Sequence, residues 1–250
     1  MADKWNRNPN CGEGTLAGIA INKLLSYPII GYLPDEECAV LVLDGENENE
    51  TSNYLESSGF AVTKLCDPQS DIIGCIPEEL QNMPNKSFGF IYSSSWLCDE
   101  LELEKTSRLA FDKLREGGMF IGCIPNRLAC SLSMISKSMS NAIELLDDNT
   151  ESQGNWDGVS ECHSPQSLIV TLEAVGFTVV DIYGWQIALS MLSEDHLKKG
   201  NWTQNELDNL ITIEYRLSQE RNLIGCAPTI QFVAKKPNPA EATFESIDRQ

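Results

Sequence analysis

The sequence predicts an α/β fold, a mostly parallel sheet covered by helices on both faces, and three features predict it. Apolar runs of strand length alternate with stretches of helical periodicity along most of the 250 residues. Two of the runs, residues 38–44 and 119–124, are apolar almost throughout, as parallel strands at the core of a doubly covered sheet must be. The first run stops on Gly45, at a small turn-permissive loop, and a polar helical pattern follows, which is the start of a βα unit. The number and order of the runs predict a Rossmann-like, doubly wound, mostly parallel sheet of seven strands.

The elements follow in order. Residues 15–33 carry Leu, Ile and Ala at helical spacing, broken by Pro28 and ended by Pro34, and predict a helical flank within residues 1–37. Strand one covers 38–44. Its loop reads Gly45-x-Asn47-x-Asn49, and Asn is the residue after Gly that best tolerates the left-handed backbone of such a turn. A helix around 49–58 closes on Gly59, and strand two covers 60–66, ending at Asp67-Pro68. Residues 72–76 have the composition of a short third strand. The gap from Asp67 leaves almost no room for a crossover helix, so either that crossover is vestigial or 72–76 is not a strand.

Residues 88–92 predict strand four, emerging at Ser93-Ser94-Ser95. Leu103, Ala110, Phe111 and Leu114 mark the inner stripe of a helix over 99–115, capped by Gly117-Gly118 before strand five at 119–124. Residues 126–155 are polar and weakly helical, part of an insertion over 126–162 that interrupts the rhythm over the carboxyl edge of the sheet, where insertions carry specificity. Ser164-Pro165 supplies an N-cap and first-turn pair for a helix that Gly176 stops before strand six at 177–182. Thr203-x-x-Glu206 forms a capping box for a long helix with Leu207, Leu210, Ile211 and Leu217 on its inner side. The last strand covers 229–234, and residues 237–250 form a loose Pro/Glu/Ser-rich tail.

With 42% apolar residues the chain can bury one large core, so a single domain over 1–250 is expected. The 37 acidic against 18 basic residues give a formal charge of −19, which repels phosphate backbones and anionic headgroups. Nucleic acid and membrane are therefore not expected partners. The nine cysteines include no C-x-x-C pair and several lie in apolar runs, so they read as reduced structural thiols. No basic segment followed by an apolar run opens the sequence, and no stretch reaches roughly 18 apolar residues, which predicts a soluble, cytoplasmic protein.

Several stretches, in order, resemble the class I S-adenosylmethionine-dependent methyltransferases, in particular those of the methyltransferase type 11-like group. Tyr27-Pro28 through Gly45 resembles the family's lead-in and first strand, and Asn85-Lys86-Ser87-Phe88-Gly89-Phe90-Ile91-Tyr92 its fourth strand. Leu114-Arg115-Glu116-Gly117-Gly118-Met119-Phe120-Ile121 resembles its turn into the fifth. His163-Ser164-Pro165-Gln166-Ser167-Leu168, with Glu173-Ala174-Val175-Gly176-Phe177, resembles the helix and strand after it. The resemblance covers most of residues 27–236 and implies an antiparallel last strand and S-adenosylmethionine as cofactor. It assigns Gly45 and Asn47 to the loop beneath the methionine moiety, Asp67 to the ribose hydroxyls and Ser93 to the end of the fourth strand. The family's loop is G-x-G-x-G; here Asn47 and Asn49 stand in two of its slots, and Ile76-Pro77 stands where the family has an Asp that meets the adenine amine.

Each candidate has a plainer alternative. Asp67 is a ribose ligand or a strand-end turn residue before Pro68. His163, one of 2 histidines, is a general base at the strand ends or a capping or surface residue. His196 reads as solvated. Trp5 and Arg7 form a lid or a loose terminus. Glu46, Glu48 and Glu50 are solvated acids at a helix N-terminus, and no metal site is expected there. Two functions follow. One is a methyltransferase acting on a small-molecule or protein acceptor by in-line displacement, driven by proximity and orientation. The other is a methyltransferase-like protein that has lost the cofactor and binds or regulates a protein partner. A nicotinamide-dependent dehydrogenase is disfavoured, because the three glutamates would repel a pyrophosphate.

Overall fold

The computed structural model describes residues 29, 31–33, 38–44, 49–66, 78–93, 100–146, 162–192 and 202–239. Among them, six strands form one sheet in the order β2-β1-β3-β4-β6-β5. These are β1 (Ala39–Asp44), β2 (Ala61–Cys66), β3 (Phe88–Ser93), β4 (Leu114–Pro125), β5 (Thr178–Trp185) and β6 (Thr229–Lys235). The seventh strand expected at 72–76 lies outside the described residues. β1 pairs in parallel with β2 and β3, and β3 with β4, so β3 lies between the strands that hold the two apolar runs. The amide of Gly117 donates to Lys236 O and that of Asn126 to Pro228 O. Numbers fall along β6 as they rise along β4, so the last strand is antiparallel as expected.

The chain divides into two compact units. One comprises Gly31–Cys123, Ser167–Asp181 and Phe232–Gln250. In it, α1 (Asn49–Ser57) follows β1, α2 (Glu78–Asn82) precedes β3, α3 (Glu100–Lys113) follows β3, and α6 (Pro165–Val175) leads into β5. The α1 helix ends in a left-handed cap: Gly59 has φ +92° and the next amide, Phe60, reaches back to Leu55 O. Val40, Leu41, Val42 and Leu43 are fully buried, as are Phe90, Ile91, Phe120 and Ile121. Each such side chain contributes on the order of 1.5–3 kcal/mol. Phe111 meets Phe177 edge-on at 5.1 Å, and Phe120 meets Phe232 at 5.1 Å.

The helix expected over 99–115 ends earlier, at Lys113, and the segment expected as its glycine cap is already strand. Phe88 pairs with Leu114 but Phe90 with Met119, so residues 115–118 bulge out of register. Gly117 turns that bulge at φ +77°. Lys236 holds it in place: its buried ammonium donates to Phe111 O at 2.7 Å and Leu114 O at 3.0 Å, and lies 4.4 Å from the centre of the Phe111 ring. Lys113 is buried likewise and donates to Gln81 O at 3.1 Å and Asn85 Oδ1 at 2.9 Å.

The other unit comprises Met1–Ile30, Ile124–Gln166 and Ile182–Gln231. The stretch read as a weakly helical insertion forms α4 (Arg127–Met134) and α5 (Met139–Glu144). Further on come α7 (Ile187–Met191), α8 (Gln204–Ser218) and a 3-10 helix at Arg221–Cys226. The capping box on α8 is present in both directions: Thr203 N donates to Glu206 Oε2 at 2.8 Å and Glu206 N to Thr203 Oγ1 at 3.3 Å. Trp185 is buried, its indole N–H donating to Gln231 Oε1 at 2.9 Å. No helix among the described residues is long and apolar enough to cross a membrane.

Candidate functional site

In the first unit the carboxyl ends of three neighbouring parallel strands are level. Asp44 pairs with Cys66, and Leu43 pairs with both Leu65 and Ser93. Three strand ends therefore lie side by side, at the edge where doubly wound folds bind their ligands. Gly45 follows Asp44 directly in sequence, and Asp67 follows Cys66. Gly45, Asn47, Asp67 and Ile76 themselves lie outside the described residues, as do Trp5, Arg7, Glu46, Glu48 and His196. Ser93 is described. It is fully buried at the end of β3, and its hydroxyl has no hydrogen-bond partner among the described residues. A buried hydroxyl left unpaired costs about 1–3 kcal/mol, so one held at a strand end is a group that a ligand would satisfy.

In the second unit the chain returns to the end of β4 at His163. His163 N donates to Pro125 O at 3.2 Å and Arg127 N donates to His163 O at 2.9 Å, a parallel bridge opposite Asn126. His163 is 3% exposed and its Nε2 has no hydrogen-bond partner among the described residues. Burial, with the neighbouring Arg127 charge, lowers its pKa to about 4, so the ring is neutral at neutral pH. It is therefore not a surface residue.

Across the bridge from His163 lies Asn126, which sequence reasoning missed. It is fully buried, and its Oδ1 accepts from Leu128 N at 3.1 Å, capping α4. Its Nδ2 points at Ile224 O, Gly225 O and Ala227 O at 2.9, 3.1 and 2.8 Å. One side chain thus ties the end of β4, the start of α4 and the 3-10 helix together. An Asn directly after an apolar strand and before a helical pattern is a readable N-cap signal; its three carbonyl partners, 98–101 positions away, are not.

Glu214 was missed as well. It falls between Leu210 and Leu217 on the stripe that faces inward on α8, and a charged residue at an apolar position was the available signal. Its fully buried carboxylate accepts from Ile187 N at 2.6 Å, Ala188 N at 2.9 Å and Leu189 N at 3.2 Å. Those amides open α7, whose N-cap, Gln186, sits at φ +68°. Burial pushes the Glu214 pKa up against the opposing pull of these bonds. Among the described residues no group of three or more His, Cys, Asp or Glu is placed to hold a metal.

No protein-family model and no curated protein matches the chain. Solved structures do. A methyltransferase structure from Methanosarcina mazei, described as S-adenosylmethionine-dependent, superposes with a TM-score of 0.50 at 15% identity, over 85% of this chain and 98% of that one. One from Archaeoglobus fulgidus gives 0.46 at 16% identity, over 90% and 96%. Phosphoethanolamine N-methyltransferase 2 of Haemonchus contortus, in complex with S-adenosylmethionine, gives 0.48 at 9% identity, over 94% of this chain and 59% of that one. With its strand order and the likeness to the Methanosarcina mazei structure, the chain has the fold of the class I S-adenosylmethionine-dependent methyltransferases.

Proposed function

We propose that this chain is an S-adenosylmethionine-dependent methyltransferase acting on a small-molecule or protein acceptor. The unpartnered, buried Ser93 hydroxyl at the level row of strand ends carries this reading. Ser93 offers a buried hydroxyl, Asp67 a carboxylate for a ribose diol, and Gly45 a position with no side chain to obstruct close approach, while Asn47 tolerates the turn but brings a side chain into the cofactor's space. When bound, the cofactor supplies a methyl group on a cationic sulfonium, and a chain with a net charge of −19 favours a cationic ligand. His163 is the candidate catalytic residue. With a pKa near 4 it is too weak a base to hold a proton at neutral pH, and its buried Nε2 is instead an acceptor for an O–H or N–H donor. The charge also argues against nucleic acid and anionic membranes as partners.

Asn47 and Asn49 in two glycine slots, and Ile76 where the family places an acceptor for the adenine amine, support a second reading, a protein that has lost the cofactor and serves as a binding or regulatory partner. Calorimetric titration with S-adenosylmethionine and its demethylated product separates the two. For the enzyme, the wild type gives binding heat, and Asp67→Ala weakens binding by roughly 1.5–3 kcal/mol, with a smaller loss for Ser93→Ala. No heat and no thermal shift at millimolar cofactor would rule out the enzyme and leave the partner protein.

A further inference from the structure

We propose that Cys130 and Cys162 form a redox pair that closes to an intramolecular disulfide when the chain meets a peroxide. The Cys162 thiol donates to Cys130 Sγ at 2.9 Å across 32 positions of sequence. A disulfide needs the two sulfurs to close from that distance to roughly 2.05 Å. Cys130 lies on α4 and packs with Met134, Ala142 and Leu145, with the half-buried Cys162 against the same cluster. The pair joins the α4–α5 hairpin to the residue next to His163. The bond from Cys162 holds the Cys130 thiol below its usual range, which favours the thiolate that starts the chemistry. Nothing in this inference depends on whether the cofactor is retained.

The steps balance with hydrogen peroxide as oxidant. The Cys130 thiolate attacks one peroxide oxygen, the O–O bond breaks, and the departing hydroxide takes the Cys162 thiol proton to leave as water. The Cys162 thiolate then attacks the Cys130 sulfenic acid sulfur, and the S–O bond breaks. The second hydroxide leaves with a proton from solvent. Both sulfurs are oxidised and one peroxide is reduced to two waters.

The test is mild peroxide treatment of the full chain, followed by alkylation under denaturing conditions and peptide mapping by mass spectrometry. The expected product is a peptide cross-linked between residues 130 and 162, lighter by two hydrogens, reversed by dithiothreitol and absent in Cys130→Ser and Cys162→Ser. Buried Cys38 and Cys123 and exposed Cys226 serve as internal controls within the same map. Closing a loop of this length should also raise the thermal midpoint of the oxidised wild type by on the order of 10 °C. Sulfinic acid on either cysteine without the cross-link, or cross-links to Cys226 at equal yield, would overturn the proposal. So would a pair that stays reduced while Cys226 oxidises. The wild-type map decides the matter even where a serine variant does not fold.

Discussion

Replacing Asn126 with Asp changes one atom group and tests the joint at the end of β4. The Nδ2 group donates toward three carbonyls at 2.9, 3.1 and 2.8 Å, and the residue is fully buried. An aspartate oxygen in its place has no hydrogen to offer and faces three acceptors. The lost bonds contribute about 1 kcal/mol each, and an ionised carboxylate buried against carbonyl dipoles adds a desolvation cost. Together the expected loss at pH 7 is about 3–5 kcal/mol, the range for an uncompensated buried charge. The new carboxyl has its folded pKa raised above the unfolded value near 3.9, so the excess cost is absent below that value and grows as pH rises through the folded one. Urea unfolding followed by tryptophan fluorescence, at pH 7 and again near pH 5, measures both parts. Asn126→Ala, which removes the cap and the donors without adding charge, should lose less than Asn126→Asp at pH 7 and show no such pH dependence. An aspartate variant within about 1 kcal/mol of wild type at pH 7, or one equally destabilised at both pH values, would refute the reasoning.

Three further outcomes are expected. His163 has a folded pKa near 4 against an ordinary 6.5, so the unfolded chain binds a proton the folded one does not between these values, and stability falls as pH drops through that window, by on the order of 3 kcal/mol in all. His163→Gln should lose this part of the acid dependence, read as the difference between the two urea titrations. Glu214→Ala should cost about 2–4 kcal/mol by leaving the amides that open α7 unpaired. Because the Glu214 pKa is raised from 4.5, wild-type stability also falls as pH rises from that value through the folded one, and the variant should lack that decline. Lys236→Met should cost about 1.5–3 kcal/mol by uncapping the carbonyls of Phe111 and Leu114. At 4% exposure the Lys236 contribution should barely change between low and high salt in the same unfolding assay.

The alternation of apolar runs and helical stripes was enough to place the six described strands and most of the described helices, because burial on two faces or one imposes a periodicity that is local in sequence. The antiparallel direction of the last strand came from the family resemblance, since periodicity carries no strand direction. The Thr203 capping box and the glycine stops at Gly59 and Gly176 were legible for the same reason, each being an interaction within a few residues. Ser93 and His163 were identified by position at strand ends, but the sequence could not tell that both are buried with a polar atom unpaired. The bulge at 115–118 was read as a helix cap, since Gly117-Gly118 serves either role until β3 fixes the register. Asn126, Glu214 and the Cys130–Cys162 pair were decided by the tertiary structure alone. Their partners lie 25–101 positions away, and no periodicity carries a hydrogen bond over that distance. The fold follows from short-range patterning, whereas which polar atoms are satisfied and which are left for a ligand depends on which distant segments the packed sheet brings together.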